Sequence, residues 1–581
     1  MRKNFVVYAS LCCFVVLQSC ALLGVHLNPH NPRKQKPYPK FSKETILLGE
    51  LTPVRSNFDV RHYDLRVLFQ PQNKHIGGWV GILSTAKATI DSIQLDLDQN
   101  LAIEEIRWNS QDGSVLKYRR VERAVFIRLP ELVKSGNNFK VWVKYGGNPV
   151  SARKPPWAGG VVWKVDKNGK YWSGVACETE GASVWFPCKD HTSDEPDSVD
   201  LHYSLKFLPG LMVVGNGRLL DTLSNAGLQT YHWKVSCPIN LYDVTFYIGD
   251  FVPIHDSMVG INGQKLGLNH YVLRHHVETA QKHFEKVKYY IEVYEALYGP
   301  YPWYADGFKL VESPYAGMEH QTAIAYGNKF KNDLNGLDDY ILLHETGHEW
   351  FGNAITASDL ADVWLQEGFT TYGESLFMER AYGKQAMFNH LYYSYISIKN
   401  KWPMVGPKGR RFFDYHDGDV YSKGAQFLHT LRSTIQNDSL FFKCIRQFYM
   451  KHRYGVCESA DFLKVVNEVC AKDFTWLFNQ YLFDRKVPVL EYFFQGNGTF
   501  LARFNFVKAD FNQLPVKIII YTSEGAMETT IYPSSKIKSF KINGLDRSHV
   551  FQGMRIERKM TLFGVKENKT LDILYLQGLG L

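Results

Sequence analysis

The sequence predicts a multidomain α+β protein, and three observations predict it. At 581 residues the chain is too long to close around one hydrophobic core. From Phe58 to about His275, stretches such as FDVRHYDLRVLF, DSIQLDLD, FKVWVKYGG and YDVTFYIGDF alternate apolar with polar residues between Gly, Asn and Pro breaks, the pattern of half-buried antiparallel strands. Near Arg274 the period becomes helical, in RHHVETAQKHFEKVKYYIEVYEALYG, and after Pro488 short strand patterns such as FLARFNFV and VKIIIYT return. These transitions divide the body into an N-terminal antiparallel β domain (51–275), a mostly helical domain (276–490) and a small C-terminal β-sandwich domain (491–581). A composition of 45% hydrophobic and 22% charged residues excludes a disordered or fibrous chain. The net charge of +9 is scattered without a long basic run, so no nucleic-acid partner is expected.

Residues 1–20 read as an export signal: Arg2 and Lys3, an apolar core from Phe5 to Leu17, then Leu17-Gln18-Ser19-Cys20. The core is short for a transmembrane helix. Its end resembles a bacterial lipoprotein signal with Cys20 as the lipidated residue, ordinary cleavage nearby being the alternative. The expected location is therefore a membrane-anchored lipoprotein of a bacterial cell envelope, or else a periplasmic or secreted protein. Residues 21–50 are basic and Pro-rich, as an extended tether would be. Outside the signal, cysteines stand at 177, 188, 237, 444, 457 and 470 without close CxxC spacing, so no second metal site is indicated. Export would permit disulfides, and Cys457 with Cys470 are within reach of each other, although sequence does not assign connectivity.

The helical domain is organised around Asp338–Gly352, DDYILLHETGHEWFG. Asp338 or Asp339 can cap its start, apolar residues frame its centre, and Gly352 stops it. In a helix, His344 and His348 stand one above the other with Glu345 beside them. Two neutral imidazoles leave a divalent cation short of ligands and of negative charge, so a third ligand is needed, and Glu367 is the candidate, with eighteen residues between it and His348. The stretch from Trp364 to Tyr382 also has helical spacing and sets Glu374 seven residues beyond Glu367, placed to fix a ligand imidazole from behind.

HETGHEWFGNAIT followed by DVWLQEGFTTYGE resembles the M1 family of zinc aminopeptidases, the gluzincins, in a bacterial exported form. The likeness extends upstream to Ala316-Gly317-Met318-Glu319-His320, similar to the family's GxMEN loop, and downstream to Tyr421-Ser422-Lys423-Gly424-Ala425, similar to its YxKGA segment. Cys177-Glu178, Phe186-Pro187-Cys188-Lys189-Asp190 and Asp194-Glu195-Pro196 resemble the family's N-terminal signature. Two positions depart from it, His320 and Gln366, where the family usually has Asn.

The resemblance implies a thermolysin-like catalytic domain holding one Zn2+ on His344, His348 and Glu367, with Glu345 as general base. It further implies Tyr421 as the donor to the oxyanion, Glu319 and Glu178 as acceptors of a substrate α-ammonium, and the backbone of Ala316, Gly317 and Met318 as a strand that aligns the peptide. The expected partners are peptides with a free N-terminus. The alternatives are a zinc hydrolase of other specificity, either an endopeptidase or an epoxide hydrolase, and a catalytically inactive peptide-binding scaffold.

Overall fold

A computed structural model describes residues 38–412, 417–495, 498–542, 551–559 and 561–577. The signal, Cys20 and most of the expected tether lie outside the described residues.

The alternating stretches do form strands. A seven-stranded sheet runs in the order Arg218–Asn225, Leu228–Val235, Ser198–Lys206, Phe58–Gln70, His75–Ala86, Asn138–Gly147, Leu101–Trp108. One pair departs from the antiparallel expectation: Phe58–Gln70 lies parallel to Ser198–Lys206, which the long intervening chain permits where a hairpin would not. A four-stranded sheet containing Tyr171–Ala176 packs beside it. Between domains lies a five-stranded sheet whose first two strands, Phe251–Val259 and Lys265–Leu273, precede the helical domain, and whose other three, Leu310–Glu312, Ile324–Tyr326 and Gly317–Met318, belong to it. The sheet therefore fixes the Gly317–Met318 edge relative to the N-terminal domain.

Part of the stretch expected to be a tether is ordered. Helix α1, Lys43–Gly49, starts at Ser42, whose Oγ accepts the Thr45 amide at 3.0 Å, and Leu48 is buried. Arg55, fully buried and paired with Asp96, donates to Leu48 O at 2.6 Å. The single apolar face of ILLG is enough to dock this short helix, and the Pro-rich composition ends before it.

The helices that build the site follow: α2 (Lys286–Tyr298), α3 (Tyr340–His348), α4 (Trp364–Tyr382), α5 (Lys384–Ser397), α6 (Asp419–Ile435), α7 (Asp438–His452) and α8 (Ser459–Cys470). The cap of α3 is Asp339, which accepts the Leu342 amide at 3.1 Å while His283 and Tyr326 hold its other oxygen at 2.8 and 2.6 Å. Helix α4 is buried on every side from Trp364 to Met378, so it is the central helix of the domain. It crosses α6 through two glycines: a Cβ on Gly424 would stand 2.7 Å from the Gly368 Cα.

The C-terminal strands form a four-stranded and a three-stranded sheet, and their apolar faces join the catalytic core: Phe500, Ile518 and Phe563 belong to the same cluster as Phe427 and Tyr481. Among the described residues no helix is long and apolar enough to cross a membrane.

Candidate active site

Helices α3 and α4 bring His344, His348 and Glu367 together, with one donor atom of each lying within 4.8 Å of the others. All three are buried. The imidazole tautomers follow from their outer contacts. His344 Nδ1 lies 2.5 Å from Glu374 Oε1, and His348 Nδ1 lies 2.9 Å from Phe351 O, so both Nδ1 atoms donate and both Nε2 atoms present lone pairs. Those two Nε2 atoms face each other at 3.1 Å, with Glu367 Oε2 at 3.7 and 3.4 Å from them and no hydrogen-bond partner of its own. Two lone pairs and an orphaned carboxylate oxygen converging in a buried space call for a cation. Two neutral nitrogens with one anionic oxygen suit zinc.

The surroundings are strongly acidic. Glu178, Glu319, Glu345, Glu367 and Glu374 are all buried, and among the described residues no Lys or Arg pairs with any of the five. Burial pushes the Glu178 carboxyl well above the usual range, and the charges of Glu319 and then Glu367 push it further. Glu319 is raised by burial, although His348 opposes the shift. Burial also raises Glu345, to about 8, with His344 opposing the shift. A divalent cation together with a substrate ammonium would neutralise most of this charge.

Each residue expected at the site can now be placed. Glu345 sits on α3 against the Gly317 strand edge, where a Cβ on Gly317 would fall 2.5 Å from Glu345 Oε1. A side chain at this position would have to displace the Glu345 carboxylate and the Ile341 methyl beside it. Gly317 and Met318 pair antiparallel with Tyr326 and Ala325, and Ala316 O accepts the Gly327 amide at 2.8 Å. Glu319 follows directly, sharing with Glu345 and His348 a second group of donor atoms within 4.8 Å. Glu178 reaches the cluster from the N-terminal domain, with Oε1 unpartnered. Tyr421, in the first turn of α6, stacks on His344 with ring centroids 6.3 Å apart, and burial followed by the Glu367 charge keeps its phenol protonated. Glu374 lies behind His344, its Oε1 2.5 Å from the His344 Nδ1.

The two departures from the family pattern have separate explanations. His320 is fully buried and turns to the N-terminal domain, its Nδ1 lying 2.7 Å from the Tyr247 hydroxyl. Tyr247 OH already donates to Ala323 O at 2.7 Å, so His320 is the donor in that pair, and burial lowers its pKa to about 3 and keeps it neutral. Gln366 donates to Tyr242 OH at 2.9 Å, and that hydroxyl donates to Glu319 Oε1 at 3.3 Å. Sequence reasoning did not find Tyr242, nor Asn353, whose Nδ2 holds Glu319 O at 2.8 Å, nor His390, which lies 3.2 Å from Glu374. The one available signal was Gln366, an unusual neighbour for a ligand.

Residues 277–481 match the model of the peptidase family M1 domain. Over 323 residues the chain is 25% identical to endoplasmic reticulum aminopeptidase 1 of Mus musculus, covering 51% of this chain and 33% of that protein. Over 311 residues it is 24% identical to aminopeptidase N of Streptomyces lividans, covering 49% and 35% respectively. The chain thus spans about a third of the length of these curated relatives. The crystal structure of an M1 zinc metallopeptidase from Deinococcus radiodurans shares the fold, with a TM-score of 0.61 and 22% identity over 74% of this chain and 95% of that one.

Proposed function

We propose that this chain, whose residues 277–481 match the peptidase family M1 domain, is a zinc-dependent aminopeptidase that removes single residues from the N-terminus of peptides. The observation that carries the reading is one buried cluster in which three metal donors stand beside two further carboxylates, Glu178 and Glu319, with which no Lys or Arg pairs among the described residues.

When bound, zinc supplies Lewis-acid polarisation of the scissile carbonyl and of the attacking water. The chain's own groups do the rest. Glu345 lies next to the ligands without being one of them; it takes the proton from the attacking water and returns it to the leaving amine. Tyr421 OH donates to the oxyanion that develops on the substrate carbonyl. Glu319 and Glu178 accept the α-ammonium, and Tyr242 with Asn353 holds Glu319 in place. The edge of Gly317–Met318 receives the peptide backbone as a neighbouring strand. Because Glu319 and Glu178 would hold the ammonium at a fixed place relative to His344, His348 and Glu367, only the first peptide bond would come within reach of Glu345.

N-acetylation tests this directly. It removes the ammonium and leaves two buried carboxylates unpaired, a cost of several kcal/mol, roughly 3–5 for a broken buried pair. Acetylated peptides should therefore be poor substrates and free-amine peptides good ones. Equal rates, or internal cuts as the first products, would replace this reading with that of an endopeptidase.

We also propose that the leader exports the chain and that Cys20 carries the lipid that anchors it, because LQSC ends a short apolar core and a basic Pro-rich segment follows. Cys20→Ala should move the protein from the membrane fraction to the soluble one; retention in the membrane with an unchanged mass would exclude Cys20 as the anchor.

A further inference from the structure

Cys444 faces the buried side of α7, and Cys470 is the last residue of α8. Their Sγ atoms are 3.7 Å apart, which is van der Waals contact. Among the described residues this is the only cysteine pair that meets. The Cys177 thiol instead donates to Tyr242 O at 3.5 Å, and Cys457 lies on a strand paired with Ile355–Ala357. Cys457 and Cys470, close in sequence, are set apart by the helix between them. The twelve residues of α8 carry the chain about 18 Å, at about 1.5 Å per residue. The same rise returns Cys470 alongside α7, where Cys444 is waiting.

We propose that Cys444 and Cys470 are a disulfide site, closed by thiol–disulfide exchange when the chain meets an oxidising compartment. Sulfurs in a disulfide are about 2.05 Å apart, so closure asks for an approach of under about 2 Å, within reach of side-chain rotation and a small shift at a helix end. Cys470 stands at such an end, followed by Ala471 in the left-handed region at φ 48°. It is also the partly exposed member of the pair, whereas Cys444 is buried.

The exchange balances in two steps. The Cys470 thiolate attacks a disulfide of a small or protein oxidant, expelling one of its sulfurs as a thiol and leaving a mixed disulfide on Cys470. The Cys444 thiolate then attacks Cys470 Sγ and expels the second thiol. Two protein thiols lose two electrons and two protons, and the oxidant's disulfide is reduced to two thiols. Burial pushes both cysteines up, so the exchange is faster at mildly alkaline pH.

The staple would act on the wall behind the metal site. The start of α8 is bonded to the start of α4, through Trp364 Nε1 to Ser459 Oγ at 2.8 Å and the Ser459 amide to Asp362 Oδ1 at 3.1 Å. Helix α7 is bonded to the end of α2, with Tyr449 OH donating to Pro300 O at 2.7 Å. A bond between Cys444 and Cys470 closes the remaining side of this frame.

The test uses the purified full chain, so it stands apart from the export reading. Reduced protein is incubated with glutathione disulfide at mildly alkaline pH, blocked with N-ethylmaleimide and digested with trypsin without reduction. Cleavage beside Lys443, Arg446, Lys464 and Lys472 leaves Cys444 in 444–446 and Cys470 in 465–472. Mass spectrometry should find these two peptides joined and Cys457, in 454–464, alkylated. The oxidised chain should melt above the reduced chain, and Cys470→Ser, a substitution at a helix end, should abolish the difference. Alkylation of both Cys444 and Cys470, a stable glutathione adduct on Cys470, or Cys470 joined to Cys457 would overturn the proposal.

Discussion

Glu345 and Glu367 are two buried carboxylates in one cluster, yet they have opposite fates. Burial raises both. The two imidazoles beside Glu367 hold it down at about 2, so it stays anionic as the proposed ligand requires, while burial leaves Glu345 at about 8, suited to the proton transfer proposed for it. Glu345→Gln keeps the side-chain volume and the ligand set, so zinc content should be unchanged while kcat falls by about 10²-fold or more. Tyr421→Phe removes one donor to the oxyanion and should cost about 10²–10³ in kcat with little change in ground-state binding. Elemental analysis alongside turnover checks both; a Tyr421→Phe enzyme near wild-type kcat would reject that assignment. The convergence of His344, His348 and Glu345 was legible because all three come from one helix with fixed spacing. Glu178 was legible only through the family resemblance, since it stands alone among strand residues. Tyr242 was not legible at all: its role depends on meeting Gln366, 124 positions away, across a domain boundary.

One helix contact sets where Tyr421 stands relative to Glu367. Helix α6 carries Tyr421 and α4 carries Glu367, and they approach through Gly368 and Gly424. Gly424→Ala puts a methyl group 2.7 Å from the Gly368 Cα, inside any permissible contact, so the helices must separate. Such overpacking costs about 1–3 kcal/mol. The metal ligands do not lie on α6 and should still bind zinc, whereas a displacement of about 1 Å at Tyr421 is enough to lower kcat about 10²-fold. Turnover, zinc content and melting temperature measured together would show this; wild-type turnover would mean that the crossing does not position Tyr421. The helical periods of α3 and α4 were readable because one stretch has an apolar frame and the other keeps helical spacing from Trp364 to Tyr382. The crossing was not, because a glycine inside a helix does not announce its partner. Nor was α1: four residues of apolar pattern beside a Pro-rich run carry too little periodicity to distinguish a docked turn from a tether.

At the scale of the whole molecule, the proposed measurement from the N-terminus depends on two bodies, because Glu178 belongs to the N-terminal domain and the metal donors to the helical one. The alternation of strands and the switch of period near Arg274 made both bodies legible, but not the bonds that register them. One of these is charged. Arg411, in the segment between α5 and α6, reaches the N-terminal domain and donates to Asp190 Oδ1 at 2.8 Å, Asp190 being buried and Arg411 partly so, while its amide donates to Thr45 O on α1 at 3.1 Å. Burial alone would raise the Asp190 carboxyl; Arg411 and then Arg123 and Ser183 outweigh it and hold the carboxyl below its usual range. Arg411→Met removes the nearer cation and leaves Arg123 at 3.7 Å, so the loss should be near the lower end of that for a broken buried pair, about 3 kcal/mol. A carboxyl depressed by folding contributes stability that is present in full above its unfolded pKa, about 3.9, and is lost as pH falls through the folded value. The gap in melting temperature between wild type and Arg411→Met should therefore be widest at neutral pH and should close below about pH 4. Because the variant loosens the body that carries Glu178 and spares the metal donors, kcat/KM for free-amine peptides should fall while zinc content holds and the slow rate on acetylated peptides stays as it was. A stability gap that persisted unchanged into acid would show that Arg411 acts through packing and not through the Asp190 charge.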